Sequence, residues 1–363
     1  MTTFAIPHFG LARQYKRLGN ELLHATHEVL SSGCLVGGTF ALDFEKWLKN
    51  RIGCEYVTTV HSGTQALEFI AEYSFDVGDT EDEIPTIRIP NLTYPATLNA
   101  FLKTGWEVEI VDTDANGILT EDPDNDHQFN RYDCLVGLYG AVPDDLPLFK
   151  PTIVDGAQHW LLADQDEIGE GMAISFDPTK NLNASGNGGA IATDSKELYD
   201  FVIAHKNNGK PDHFSPGTNS RMSELDCAHL LVRSKYIDEW QTRRKQIRQY
   251  YLKQFEYMPF KCLSRPFLYH TDQKFVIYTD QRDDLYRYLR SMSIEVRIHY
   301  PYTLGELPIA AHLERPTLLS TSVMLSRGVL SLPIYPELTD GEVEYIAAEV
   351  KNFFEEKTTL THK

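Results

Sequence analysis

The chain is poor in positive charge. It has 34 lysine and arginine residues against 52 acidic ones, a formal net charge of −18 over 363 residues. An excess of this sign repels a phosphate backbone, so nucleic-acid binding is not expected. The one basic stretch, "RSKYIDEWQTRRKQIR" from Arg233 to Arg248, lies in a helical pattern and reads as a solvated helix face or a subunit contact. Cysteine is also scarce: the five residues Cys34, Cys54, Cys134, Cys227 and Cys262 include no C-x-x-C pair. A disulfide framework or zinc site is therefore not expected, and they read as buried, reduced residues. No run approaches the roughly 18 uncharged apolar residues that span a bilayer, and the N-terminus lacks a secretory core. A cytoplasmic protein without membrane attachment is expected. His24 and His27 lack accompanying carboxylate or cysteine ligands, so they read as surface residues and no metal is expected.

What is present is globular. Hydrophobic residues at 42% and charged residues at 24% are values of a folded chain, and this length exceeds what one core usually serves. Short β-rich runs occur at 55–60, 86–90, 107–112, 134–140, 151–155, 173–176 and 189–194, several separated by helical stretches. This alternation predicts an α/β fold with a mainly parallel seven-stranded sheet covered by helices. From Met222 to Phe255 the spacing predicts one long helical region. Beyond it, "KFVIYTD", a helix from about Arg282, "VLSLPIY" and a last helix opened by the Thr339/Glu342 capping box predict a small C-terminal α+β domain. The expected division is 1–240 and 241–363.

One stretch, "AISFDPTKNLNASGNGGAIATD" from Ala173 to Asp194, sets a lone lysine before a glycine-rich loop. A Walker A loop has the reverse order, which excludes that reading of Lys180. In open α/β sheets ligands gather beyond the carboxyl ends of the strands. The polar residues there are Ser62, Gly63 and Thr64, then Tyr94, Asp155, Gln158, Ser175, Asp177 and Lys180. Ser62-Gly63-Thr64 opens a helix, where free N–H groups favour a phosphate, although a capping serine is also ordinary there. Asp155 ends a strand and needs a cationic partner, so Lys180 could form a structural ion pair with it. A pyridoxal phosphate site uses more of the set: an amine for a Schiff base, a carboxylate for the ring nitrogen, an aromatic ring to stack on and a helix N-terminus for phosphate.

The segments "LSSGCLVGGTFALDFEKWL", "HSGTQAL", "IPNLTYPATLNAFLKTGWEVEIVDTD", "LYGAVPD", "VDGAQHW", "SFDPTKNLNASGNGGAIATD", "NSRMSELDCAHL" and "LSLPIYPELTDGEVEYI" occur in order along the chain. With them the sequence resembles the DegT/DnrJ/EryC1/StrS family of pyridoxal-phosphate-dependent sugar aminotransferases of fold type I. The resemblance implies that Lys180 is the Schiff-base lysine and proton carrier, with the cofactor covalent to it, and that Asp155 pairs with the pyridine nitrogen. It places Gln158 by the ring hydroxyl, Tyr94 on the ring, and Ser62, Gly63, Thr64 and Ser175 at the phosphate. Asn219 would reach the phosphate of a partner subunit, which implies a homodimer with shared sites. Arg221, His299 and Tyr302 are the candidate substrate residues. The family usually carries a histidine shortly after its "HYP" segment, where this chain has Tyr302, Thr303 and Leu304. The acidic stretch "SFDVGDTEDEIPT" looks long, and "VPDDLPLFKPTIVDG" looks short of a helix. The implied reaction moves an amino group from an amino acid, glutamate or glutamine, to a keto group of a nucleotide-linked deoxysugar. The alternatives are a sugar dehydratase of the same fold, against which the lysine at position 180 counts, and a non-catalytic sensor or scaffold.

Overall fold

A computed structural model describes residues 4–78, 84–120, 130–141, 151–162, 168–263, 269–313 and 319–361, with side chains to 355. Of the stretches taken to be long and short by comparison with the resembled family, 79–83 and 142–150 fall outside these residues.

Seven strands form one sheet: β1 (Tyr56–Val60), β2 (Thr86–Pro90), β3 (Glu107–Val111), β4 (Arg131–Val136), β5 (Thr152–Asp155), β6 (Gly171–Ser175) and β7 (Gly189–Thr193). Their order is β1-β7-β6-β5-β4-β2-β3, and β7 runs antiparallel to both neighbours while the pairs from β6 to β3 are parallel. The expected mainly parallel α/β sheet is thus observed. β6 and β7 are buried at every residue, because a sheet with helices on both faces has no solvent side. One face is covered by α1 (Leu11–Ser32), α2 (Thr39–Ile52) and α6 (Glu224–Ser234), the other by α3 (Gly63–Gly78), α4 (Pro95–Thr104) and α5 (Lys196–His205). Gly105 closes α4 at φ 90°, a left-handed conformation that favours glycine.

A second sheet, β10-β9-β8, is antiparallel, built from β8 (Lys261–Cys262), β9 (Phe275–Tyr278) and β10 (Val329–Leu332). Its core takes in α7 (Ile237–Gln254), α8 (Arg282–Ser291) and α10 (Asp340–Thr361), together with Ile6 near the chain start. The helix α9 (Ser320–Gly328) leads into β10. Thr339 and Glu342 form the expected capping box of α10, with Thr339 N–H donating to Glu342 at 2.9 Å and Glu342 N–H to Thr339 Oγ1 at 3.2 Å.

Three expectations need correction. The region 222–255 is two helices, interrupted at Lys235 and Tyr236; Tyr236 N–H falls back on Arg233 O, and Asp238 and Glu239 supply a fresh acidic first turn. The basic stretch is not simply a solvated face, since Arg233, Arg244 and Arg248 are buried. Arg244 donates to the Ile334 and Asp272 carbonyls, and Arg248 lies 3.4 Å from Asp272, so these charges bind segments of the C-terminal part of the chain to α7. Finally, Cys34 is exposed, although all five cysteines are free. His24 faces Glu28 at 3.8 Å, and no metal-ligating cluster occurs among the described residues.

Candidate active site

The carboxyl ends of β1, β2, β5 and β6 open on one cavity of about 520 Å³. Antiparallel β7 brings its first residue, Gly189, to the same edge, opposite both Val60 and Ser175. Ser62, Gly63, Thr64, Tyr94, Asp155, Gln158, Ser175, Lys180 and His299 all line the cavity. Asn219, Arg221 and Tyr302 do not line it: Asn219 is exposed, with Arg221 Nη2 3.4 Å from its Oδ1, and Tyr302 is 61% exposed.

At the β1 edge, Ser62 Oγ accepts the Gln65 N–H at 3.1 Å and so caps α3. The remaining first-turn N–H groups of α3 point to the cavity end of the helix. Close approach holds this turn in place. A methyl on Gly63 would lie 2.6 Å from Ser175 Cβ, and one on Gly189 would lie 2.3 Å from the Ser62 carbonyl carbon. Gly188 and Gly189 therefore serve close approach, Gly186 has room for a methyl, and none of the three adopts a positive φ.

Tyr94 precedes Pro95, which keeps it extended at φ −75°, ψ 142° and starts α4 at its first turn. The residue is 57% exposed, and its ring sits 5.9 Å from that of Tyr300. From the same turn Thr97 Oγ1 donates to Asp155 Oδ2 at 2.8 Å, while Asp155 Oδ1 accepts the Ala157 N–H at 3.2 Å. Burial pushes the Asp155 carboxyl above its ordinary range, opposed by Thr97, by the Lys180 charge and by Ala157. Gln158 is held by the Tyr139 N–H, which donates to its Oε1 at 3.0 Å; Tyr139 adopts φ 64° to do so.

Lys180 ends a turn nucleated by "DPT". Asp177 Oδ1 accepts from Thr179 N–H at 2.9 Å and from its hydroxyl, and Lys180 N–H donates to Asp177 O at 2.9 Å. Burial lowers the Lys180 ammonium below its ordinary range against the pull of Asp155 and Asp177. The alternative of a structural Asp155–Lys180 ion pair is not observed: the two face one cavity with no ion pair between them. A lysine of lowered basicity gives up its proton more readily, and the neutral amine is the form that attacks a carbonyl and carries protons.

Sequence reasoning missed Thr97, Lys274, Arg297 and Tyr300. Thr97 carried a signal, a hydroxyl one turn into a helix that starts at the strand ends. Lys274 carried none, since a lysine before "FVIY" reads as a solvated strand end.

The model of the DegT/DnrJ/EryC1/StrS aminotransferase family matches residues 16–124 and 155–351. The chain is 30% identical over 376 residues to the erythromycin biosynthesis sensory transduction protein EryC1 of Saccharopolyspora erythraea, covering 95% of this chain and 99% of that protein. It is 28% identical to the dTDP-3-amino-3,6-dideoxy-alpha-D-galactopyranose transaminase of Aneurinibacillus thermoaerophilus, covering 96% and 99%. Among solved structures, DesV of S. venezuelae in complex with a ketimine intermediate superposes with a TM-score of 0.88 at 26% identity, covering 98% of this chain and 99% of that one.

Proposed function

The chain belongs to the DegT/DnrJ/EryC1/StrS aminotransferase family, and we propose that it is a pyridoxal-phosphate-dependent enzyme that transfers the amino group of an amino acid, glutamate or glutamine, to a keto group of a nucleotide-linked deoxysugar. The observation that carries this is the convergence of Lys180, Asp155 and the Ser62-Gly63-Thr64 helix start on one cavity. Relatives named as transaminases of dTDP-linked amino sugars support the substrate class.

The residues fit the cofactor. Lys180 is an amine of lowered basicity free of an ion pair with Asp155, suited to covalent attachment through Nζ. The Asp155 carboxylate, buried and already holding two donors, would meet the ring nitrogen and keep it protonated. Ser62, Gly63, Thr64 and Ser175 would take the phosphate, Tyr94 would cover the ring face, and Gln158 would lie by the ring hydroxyl. When bound, the cofactor supplies an electron sink for charge developing beside the transferred nitrogen. Lys180 Nζ would move the proton at that carbon.

Asn219 and Arg221, away from this protomer's cavity, would serve the site of a second copy, making a homodimer. His299 would face the sugar from inside the cavity, and Tyr302, which does not line it, from outside. The same reading divides the chain at 240/241 into a large cofactor-binding domain and a small C-terminal one, with Ile6 packed on the latter's core. The test is direct. Purified protein should carry a visible absorbance that an amino donor bleaches, and a panel of nucleotide-linked keto sugars should include one that restores it. Bound cofactor that no donor bleaches would favour a scaffold.

A further inference from the structure

Two lysines face the cavity, and only one has a role so far. Lys274 lies just before β9 and is 5% exposed. Its backbone N–H donates to Tyr139 O at 3.1 Å, which fixes the residue against the segment that also holds Gln158. Its ammonium donates to the neutral Gln273 side chain and has no carboxylate partner among the described residues. A buried ammonium without an anion costs several kcal/mol in desolvation.

The other charged groups on the wall, Lys180 apart, are engaged. Arg297 is bound by Glu295 at 2.8 Å. Asp155 holds Thr97 and Ala157, and Asp177 holds Thr179. His299, its Nδ1 2.8 Å from Ser331 Oγ, is kept neutral by burial and by Lys274 itself. Lys274 is thus, besides the Lys180 assigned to the cofactor, the cation of the cavity wall without an ion-pair partner among the described residues, and burial, then Lys180 and Arg244, push it well below its ordinary range. An anion entering the cavity would reverse that penalty.

We infer that Lys274 is a recognition residue for a substrate carboxylate. The inference rests on the transaminase reading, which brings such a group in by one of two routes: the α-carboxylate of the amino donor, or an acidic group on the sugar. The donor is the more general source, because every amino acid carries that carboxylate into the cavity with its nitrogen.

Lys274→Gln and Lys274→Arg in the cofactor-loaded protein separate the routes. If the donor is read, Lys274→Gln raises the KM for glutamate in the bleaching half-reaction tenfold or more, changes the limiting rate less, and Lys274→Arg restores much of the loss. If the sugar is read, glutamate kinetics stay as in the wild type while calorimetric affinity for UDP-glucuronate, but not for UDP-glucose, falls by a similar factor. Glutamate kinetics and uronate affinity both matching the wild type overturn the inference. Lys274→Met guards against a folding artefact: a recognition residue gives a higher Tm with weakened binding, whereas a lower Tm with intact binding overturns the proposal. A wild-type protein that no amino acid bleaches refutes the transaminase reading and this inference with it; wild-type bleaching without any Lys274 effect refutes the inference alone.

Discussion

The Thr97 hydroxyl donates to the Asp155 carboxylate over 2.8 Å, with both side chains buried. This bond is one of the forces that oppose the upward push of burial on the carboxyl; the Lys180 charge and the Ala157 N–H are the others. Thr97→Val keeps the shape and removes the donor. A hydrogen bond to a charged group contributes roughly 1.5–3 kcal/mol, so kcat/KM is expected to fall about tenfold or more. The sign of the pH effect follows from the charge required. With Thr97 gone the carboxyl rises further, and the acid limb of the pH–rate profile moves to higher pH. A limb that stays in place would reduce Thr97 to core packing.

Covalent attachment at Lys180 has a readout independent of turnover. Borohydride reduction of the loaded protein should leave a cofactor-sized mass increase on the peptide that contains Lys180. Lys180→Ala should abolish both the adduct and turnover, with the fold preserved as judged by circular dichroism. An adduct on the Lys274 peptide instead would reassign the attachment. Residual turnover in Lys180→Ala near the wild-type rate would sink the proposed mechanism.

The meeting of β7 with the start of α3 allows no side chain. A methyl on Gly189 would lie 2.3–2.5 Å from backbone atoms of Ser62 and Gly63, which cannot rotate away. Gly189→Ala must therefore separate the strand from the helix start. Overpacking of this kind typically costs about 1–3 kcal/mol, and here it also displaces the N–H groups offered to phosphate. Expected together are a Tm lowered by several degrees and weaker cofactor retention on dialysis. Gly186→Ala, where a methyl would meet only Asp226 oxygens at 3.7 Å or more, is the control and should change neither.

The sheet was legible because its strands are short apolar runs bounded by turns, and "TIRIP" is strand from first to last residue. The cavity residues were legible for a related reason: a strand's carboxyl end is marked in sequence by the polar residue after the run, as with Asp155. What was hidden depends on packing. The spacing of Ala228, Val232, Tyr236 and Trp240 continues smoothly through a real helix break, since both helices bury the same side. The buried Arg244 and Lys274 look like surface charge because their partners are backbone carbonyls, a neighbouring amide and an open cavity. Composition does not encode any of these.

Two buried histidines set an acid limit on stability. Burial lowers His8 to about 3, assisted by Lys274 and Arg297, and burial alone lowers His159 to about 4. An unfolded histidine titrates near 6.5. Between that value and the folded ones the unfolded chain binds protons that the native chain refuses, so stability present at neutral pH is lost as pH falls. From pH 7 to pH 5 the loss is roughly 2 kcal/mol for each histidine. Urea unfolding of cofactor-free protein at the two pH values measures it, and the double variant His8→Asn, His159→Asn should show a clearly smaller drop. An equal drop in the double variant would assign the acid sensitivity to groups other than these two imidazoles.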